Sequence, residues 1–258
     1  MIQKVAMPNR DRRIQAHARL SAALERPMVG EIRKAIHRFA DVAASHVEQG
    51  NDAVEPALNS FVGFEVKIAR RLLSSALAAA QLQDGELKSF SDIEAKDASP
   101  TIDTVSVLRK WAISYSLKFI FGFKTRLKAK LVKIIDDGTV AGLSNPDIAK
   151  EVRAKLKGPE TLRRSMVIAR TETHVATQTG SSVAAKNSGL LLVKEWGATE
   201  DERTRLTHKF ADHQTTEMDE PFIVGGFFMM YPGDPVGPPK EVINCRCVAL
   251  YWPKGFKR

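Results

Sequence analysis

With 258 residues, 43% hydrophobic and 27% charged, the chain is long enough to bury the core of one large domain or two ordinary ones, and its balance argues against wholesale disorder. No apolar run approaches the ~18 residues of a membrane span, and residues 1–13 lack the apolar stretch of a secretory signal; the expectation is a protein made in the cytoplasm and kept there unless packaged into something. The formal charge is +9, and residues 101–170 carry 15 Lys or Arg against 6 Asp or Glu, which leaves 24 of each (39 − 15 and 30 − 6) for the rest of the chain. The whole excess therefore lies in one block, which suits a polyanion, nucleic acid first and an acidic protein surface second, or else a solvated helix face.

In chain order, the first half reads as helix after helix. Pro27 is expected to open a helix in which Ile32, Ile36, Phe39, Ala43 and Val47 recur at helical spacing, with Gly50-Asn51 as its stop. A second helix is expected from Val54, with Pro56 in its first turn, to about Gln83; it carries Leu58, Phe61, Val62, Ile68, Leu72 and Leu73, and Asp84-Gly85 closes it. Residues 86–100 are polar and read as a linker. Residues 101–137 hold the longest helical pattern, with Val105, Leu108, Ala112, Tyr115 and Phe119 continued by Leu127, Leu131 and Ile134, and with Gly122 as an expected kink or break.

The next helix start is well marked: Ser144 or Asn145 as N-cap, Pro146 in the first position and Asp147 in the first turn, ahead of a stripe of Ile148, Val152 and Leu156 that Gly158-Pro159 ends. Another helix is expected over about 160–187. From Leu190 the texture changes, and residues 191–196, 222–224 and 247–252 read as strands joined by long polar or Pro/Gly-rich connections. The fold class is therefore α+β: a mainly helical N-terminal region (1–100, with the linker at 86–100), a basic helical region (101–189), and a small C-terminal region (190–258) with a small antiparallel sheet.

Two sets of side chains carry chemistry. His208, Asp212, His213, Cys245 and Cys247 are metal-ligand types, and zinc favours thiolate and imidazole in a four-ligand closed site. The expected ligands are His208, Cys245 and Cys247, with Asp212 or His213 as the fourth; a metal would hold a region with little core of its own. Against this stands the spacing Cys-x-Cys, which is poor for a mutual disulfide and less common in structural zinc sites than Cys-x-x-Cys. The bland alternative leaves one cysteine buried as a small hydrophobe. The second set is basic: Lys124, Arg126, Lys128, Lys130 and Lys133 on one helix and Arg163 and Arg164 on another are the candidate contacts to double-stranded DNA, without sequence specificity, because no helix-turn-helix, zinc-finger or RNA-recognition signature accompanies them. Asp201, Arg203, Arg205 and Asp234 are expected to pin loops, and Arg203 and Arg205 alternatively to touch DNA.

Two enzymatic alternatives have residues behind them. A histidine with cysteines and carboxylates suggests a metal-dependent nuclease, though no His-Asn-His or paired-carboxylate spacing supports it. Arg170, Ser181-Ser182 and Glu200-x-Glu202 follow the Arg–Ser–Glu order of one branch of ADP-ribosyltransferases. A hydrolase elbow of the Gly-x-Ser-x-Gly type is absent from the sequence.

The run Ile168-Ala169-Arg170-Thr171-Glu172, the strand Lys194-Glu195-Trp196, then Asp201 to Arg205, His208, Asp212, Pro221-Phe222, Pro232-Gly233-Asp234-Pro235 and Asn244-Cys245-Arg246-Cys247 follow one another as in the Mu F-like phage head-morphogenesis family. The resemblance covers about residues 143–252. It implies a structural minor capsid protein, not an enzyme, located in the virion head interior or near the portal, with portal, capsid or scaffold proteins and packaged DNA as partners. One position departs from the family, which tends to have Asp-Gly-Gln where this chain has Asp212-His213-Gln214; a histidine there is expected to strain a turn that suits glycine.

Overall fold

A computed structural model describes residues 9–90 and 103–255. Its elements in order are the helices α1 (Arg10–Glu48), α2 (Val54–Asn59), α3 (Phe64–Lys88), α4 (Thr104–Val140), α5 (Asn145–Lys157) and α6 (Pro159–Asn187). There follow strand β1 (Leu192–Gly197), helix α7 (Leu206–Ala211), strands β2 (Thr215–Glu217), β3 (Phe222–Val224) and β4 (Phe227–Met229), helix α8 (Pro239–Val242) and strand β5 (Val248–Pro253). The architecture is α+β, as expected. Among the described residues no helix is long and apolar enough to cross a membrane.

Several helix limits differ from the sequence reading. Pro27 lies inside α1 rather than opening it; the helix loses one backbone hydrogen bond there, while Ile14 on the earlier turns and Met28, Ile32 and Ile36 on the later ones are buried. The expected helix from Val54 is two, because Gly63 takes φ +76 between α2 and α3, and Val62 is left exposed. Gly122 neither breaks nor ends α4. The polar stretch at 86–100 begins in the last turn of α3, which runs to Lys88, and its residues 91–100 lie outside the described residues. The start of α5 is as read: Ser144 is the N-cap and its Oγ accepts from the Asp147 N–H.

The chain divides into two compact units, each assembled from separated stretches. One comprises residues 1–24, 73–110 and 170–258, the other 25–72 and 111–169, so α1, α3, α4 and α6 each contribute to both.

In the first unit, β1 is the centre of an antiparallel sheet in the order β2-β1-β5, with Val193 opposite both Glu217 and Trp252 and Trp196 opposite Ala249. A separate antiparallel hairpin pairs β3 with β4. Its two-residue turn, Gly225-Gly226, has φ +57 and +84, as a tight hairpin matching the twist of its strands requires. Ile14 of α1, Leu87 in the last turn of α3, Phe90 just after it, and Ala185 of α6 pack with Leu192 and with Val248 to Trp252 into one core. Trp196, Phe222, Val224, Met229 and the two cysteines form another. Arg13 is buried among them: its guanidinium donates twice to Glu86 Oε2 (3.0 and 2.8 Å) and to the Tyr251 carbonyl (3.2 Å), and lies 4.5 Å from the Trp252 ring. Helices α3 and α6 approach closely at Gly180, where even a single added carbon would fall 2.0 Å from the Ala76 carbonyl oxygen.

In the second unit the core is aromatic. Phe61 sits 5.5 Å from Phe39 and 5.8 Å from Phe123, and Phe64 and Phe119 complete the cluster. The stripe on α4 follows Ile120, Phe123, Leu127, Leu131 and Ile134, all buried, whereas Val105 at its start is exposed.

Candidate metal centre and basic cavity

His208 lies in the short α7, Cys245 and Cys247 just ahead of β5, and all three are buried. One donor atom from each lies within 4.8 Å of the others. His208 Nδ1 is 3.3 Å from Cys247 Sγ and 3.8 Å from Cys245 Sγ. The Cys-x-Cys spacing does not part the thiols, since residues two apart in an extended stretch share a face. The Cys245 N–H closes a turn onto the Val242 carbonyl, and Asn244 takes φ +58 with its N–H on Thr171 Oγ1. The side chain that points away is Arg246, which grips Asp201 with both terminal nitrogens. That pair holds the Asp201 carboxyl well below the usual carboxylate range.

The sequence reading had no place for Glu241. Its Oε2 lies 3.1 Å from His208 Nε2, on the far side of the ring from the sulfurs, and accepts from Thr207 Oγ1 at 2.8 Å. The edge of the Trp196–His208 contact, 5.5 Å between ring centres, closes the ring in. Burial pushes the Cys245 thiol up, but hydrogen bonding from Cys247, with Arg205 nearby, outweighs it and the net direction is down; Cys247 moves well up, through Cys245 and burial.

Asp212 and His213 are brought together with each other, but around Glu195 and Arg10 and not in the His208–cysteine group. Asp212 Oδ1 accepts from the Ala198 N–H (2.7 Å) and from Arg10, which also donates to the buried Glu195 at 2.8 Å. His213 Nδ1 is 3.1 Å from Glu195, and its ring is largely exposed. The backbone of His213 has φ +61, so the turn does demand the conformation in which glycine is at ease. The loop-pinning residues are found with different partners. Arg205 reaches the Ile243 carbonyl, the Arg203 backbone N–H donates to Asp201 Oδ1, and Asp234 accepts from the Met230 and Val236 N–H groups at 2.8 and 3.0 Å. Lys194, buried in β1, donates to the Met230 carbonyl at 2.8 Å; burial pushes its pKa down to about 8.

In the second unit several basic residues are paired and several line a cavity, Lys133 doing both. Lys124 pairs with Glu65, Lys133 with Asp137 and Arg163 with Glu160, while Lys128 is exposed. Arg126, Lys130, Lys133 and Arg164 rim one cavity of about 430 Å³ whose floor includes Phe123 and Leu127. Burial and the neighbouring Arg164 charge lower the pKa of Lys130, whose ammonium donates to the Lys155 carbonyl. Two residues of the ADP-ribosyltransferase order lie on one helix. Arg170 and Ser181 are three turns apart on α6, about 16 Å along its axis, and the Ser181 hydroxyl is buried against the Ala79 carbonyl.

Residues 129–250 match the family described as Phage Mu protein F like protein, close to the span of the sequence resemblance and taking in Lys130 and Lys133 of α4. The chain is 30% identical over 137 residues to the NAD(+)--arginine ADP-ribosyltransferase EFV of Enterococcus faecalis, a match covering 52% of this chain and 27% of that protein. It is 30% identical over 132 residues to the Minor head protein GP7 of Bacillus phage SPP1, covering 50% of this chain and 42% of that one. The chain thus spans less than half the length of either curated relative, and no solved structure matches it. Through residues 129–250, a little under half of its length, the chain is similar to the family of phage Mu F-like proteins.

Proposed function

We propose that this protein is a structural minor head protein of a tailed phage, carried in the virion at the portal or head interior and lying against packaged DNA. The observation that carries the reading is the similarity to a minor head protein over half of the chain. The site chemistry fits it: Asp201, Asp234 and Arg246 are consumed in loop-holding bonds, and the His208–cysteine group is buried, so the family's polar residues serve the fold rather than a substrate. Portal, capsid or scaffold proteins are its protein partners. A zinc ion at His208, Cys245 and Cys247 belongs to the same reading as a structural component.

Contact with DNA is assigned to the rim of the basic cavity, Arg126, Lys130, Lys133 and Arg164, with Lys124, Lys128 and Arg163 on either side. Phosphate contacts of this kind release counterions, so log affinity should fall with log salt by about 0.9 per phosphate. Replacing Arg126, Lys130 and Arg164 by Gln should flatten that slope by about two to three contacts, measured on random-sequence duplex DNA. A native protein that binds without salt dependence, or not at all, refutes the DNA assignment; absence of the chain from purified heads refutes the head-protein reading.

The transferase relative favours a second reading, an effector acting in the infected cell. The two relatives match similar lengths of this chain, 137 and 132 residues, which suits a shared module attached to different partners. Release of nicotinamide from NAD by the purified protein, abolished in Glu202→Gln, would support this second reading over the structural one.

A further inference from the structure

We propose that Glu241 is the positioning carboxylate of a zinc centre in which His208 ligates through Nδ1 and Cys245 and Cys247 through their thiolates. The inference deepens the zinc assignment made above and rests on it. The donor distances fit a tetrahedral ion. Zinc lies about 2.3 Å from sulfur and about 2.0–2.1 Å from imidazole nitrogen, so a tetrahedral centre separates nitrogen from sulfur by about 3.6 Å. The two distances here, 3.3 and 3.8 Å, bracket that value. A Cys2His donor set selects zinc over magnesium or calcium, which take oxygen.

The ring has two nitrogens, and only one can bind the ion. Glu241 Oε2, at 3.1 Å, accepts a hydrogen bond from the Nε2–H, which leaves the Nδ1 lone pair aimed at the space between the sulfurs. Glu241 is itself 3% exposed and is held by Thr207 Oγ1, so it cannot swing to water. Its negative charge, costly at that depth, is offset by the metal through the imidazole. The ion would tie α7 to the approach of β5, two segments joined by long loops. Asp212 and His213, engaged with Arg10 and Glu195, supply no ligand.

The test uses the full-length protein purified without a metal-affinity step. Elemental analysis should find about one zinc per chain, and cobalt substituted for it should show thiolate charge-transfer absorption, a readout that needs no variant to fold. Glu241→Gln should retain the metal but bind it about 10–100-fold more weakly in competition with a chromophoric chelator, and should shift the cobalt d–d bands; Glu241→Asp should restore part of the affinity. No zinc after reconstitution, no cobalt charge-transfer band and melting unchanged by chelator would overturn the zinc centre itself. Zinc present, but with affinity and cobalt spectrum unchanged in Glu241→Gln, would overturn the role of Glu241 and leave the centre standing.

Discussion

Two glycine-to-alanine substitutions on long helices should move stability in opposite directions. Alanine is preferred to glycine within a helix by about 1 kcal/mol, so each change carries the same local gain. At Gly122 the new methyl meets only the end of Arg126, 3.2 Å from Nη1, and that side chain can swing aside. At Gly180 it meets backbone: the Ala76 oxygen at 2.0 Å, its carbonyl carbon at 2.7 Å and its Cα at 2.8 Å. An ordinary carbon–oxygen approach is about 3.3 Å, so α3 and α6 must part by about 1 Å along a buried contact that also carries Ser181 on the Ala79 carbonyl. Overpacking of this kind costs about 1–3 kcal/mol and more when the neighbour is rigid; after the helix gain is subtracted, Gly180→Ala should lose about 2 kcal/mol. At about 2–4 °C per kcal/mol for a chain of this size, that lowers Tm by roughly 4–8 °C, while Gly122→Ala should raise it by about 2–4 °C. Thermal melts followed by circular dichroism, with urea titrations beside them, measure both. A Gly180→Ala protein as stable as the native one would refute the close approach of the two helices.

Other substitutions probe charge and strain. Lys194 has a folded pKa of about 8, below its unfolded value, so the unfolded chain binds more protons between the two and stability should rise with pH from about 8 to 10; Lys194→Met should remove that part of the rise in paired urea titrations. Burial pushes the Glu86 carboxyl up, but His17 and Arg13 outweigh it and its pKa is lowered. Its contribution is therefore present above about pH 4.3, the unfolded value, and lost as pH falls through the folded one. Arg13→Ala, which leaves that buried carboxylate without its guanidinium, should cost about 3–5 kcal/mol at pH 7 and less in acid. His213→Gly relieves a left-handed residue worth about 1–2 kcal/mol, less the entropy glycine adds to the unfolded chain; denaturation should show a gain of about 0.5–1 kcal/mol, and His213→Ala should show none.

Local signals that act within a few residues were legible in the sequence. The Ser144–Asp147 cap, the Gly158-Pro159 stop and the apolar runs of β1, β3 and β5 need no distant partner to be read. Pro27 misleads because proline is more at home in a first turn than in the middle of a helix, and only the burial of Ile14 and Met28 on either side shows why the helix continues. Strand β2 is polar and largely exposed, so no alternation marks it; β4 was not expected either, although Gly225-Gly226 after β3 is a hairpin signal. The metal-ligand types could be gathered by chemistry alone, whereas which of them meet could not. Asp212 leaves the group because α7 ends one residue earlier and the following turn aims its carboxylate at Arg10. Glu241 was silent because a glutamate in a four-residue helix carries no spacing that distinguishes it from a surface charge.

The core that covers β5 is closed by Ile14, Leu87 and Phe90, residues that precede the family-matched region by at least 39 positions (129 − 90). Arg10 and Arg13 do the same for the buried Glu195 and the Tyr251 carbonyl. The matched region is therefore not a cassette that can be excised at its boundaries. A fragment of residues 129–250 would carry an open apolar face and a stranded carboxylate, and should be insoluble or molten by itself. Supplied in trans with a segment spanning residues 9–90 it should regain solubility, in the manner of a split protein. Any larger polypeptide that carries this module would have to furnish an equivalent pair of upstream helices, or the sheet would have nothing to rest on.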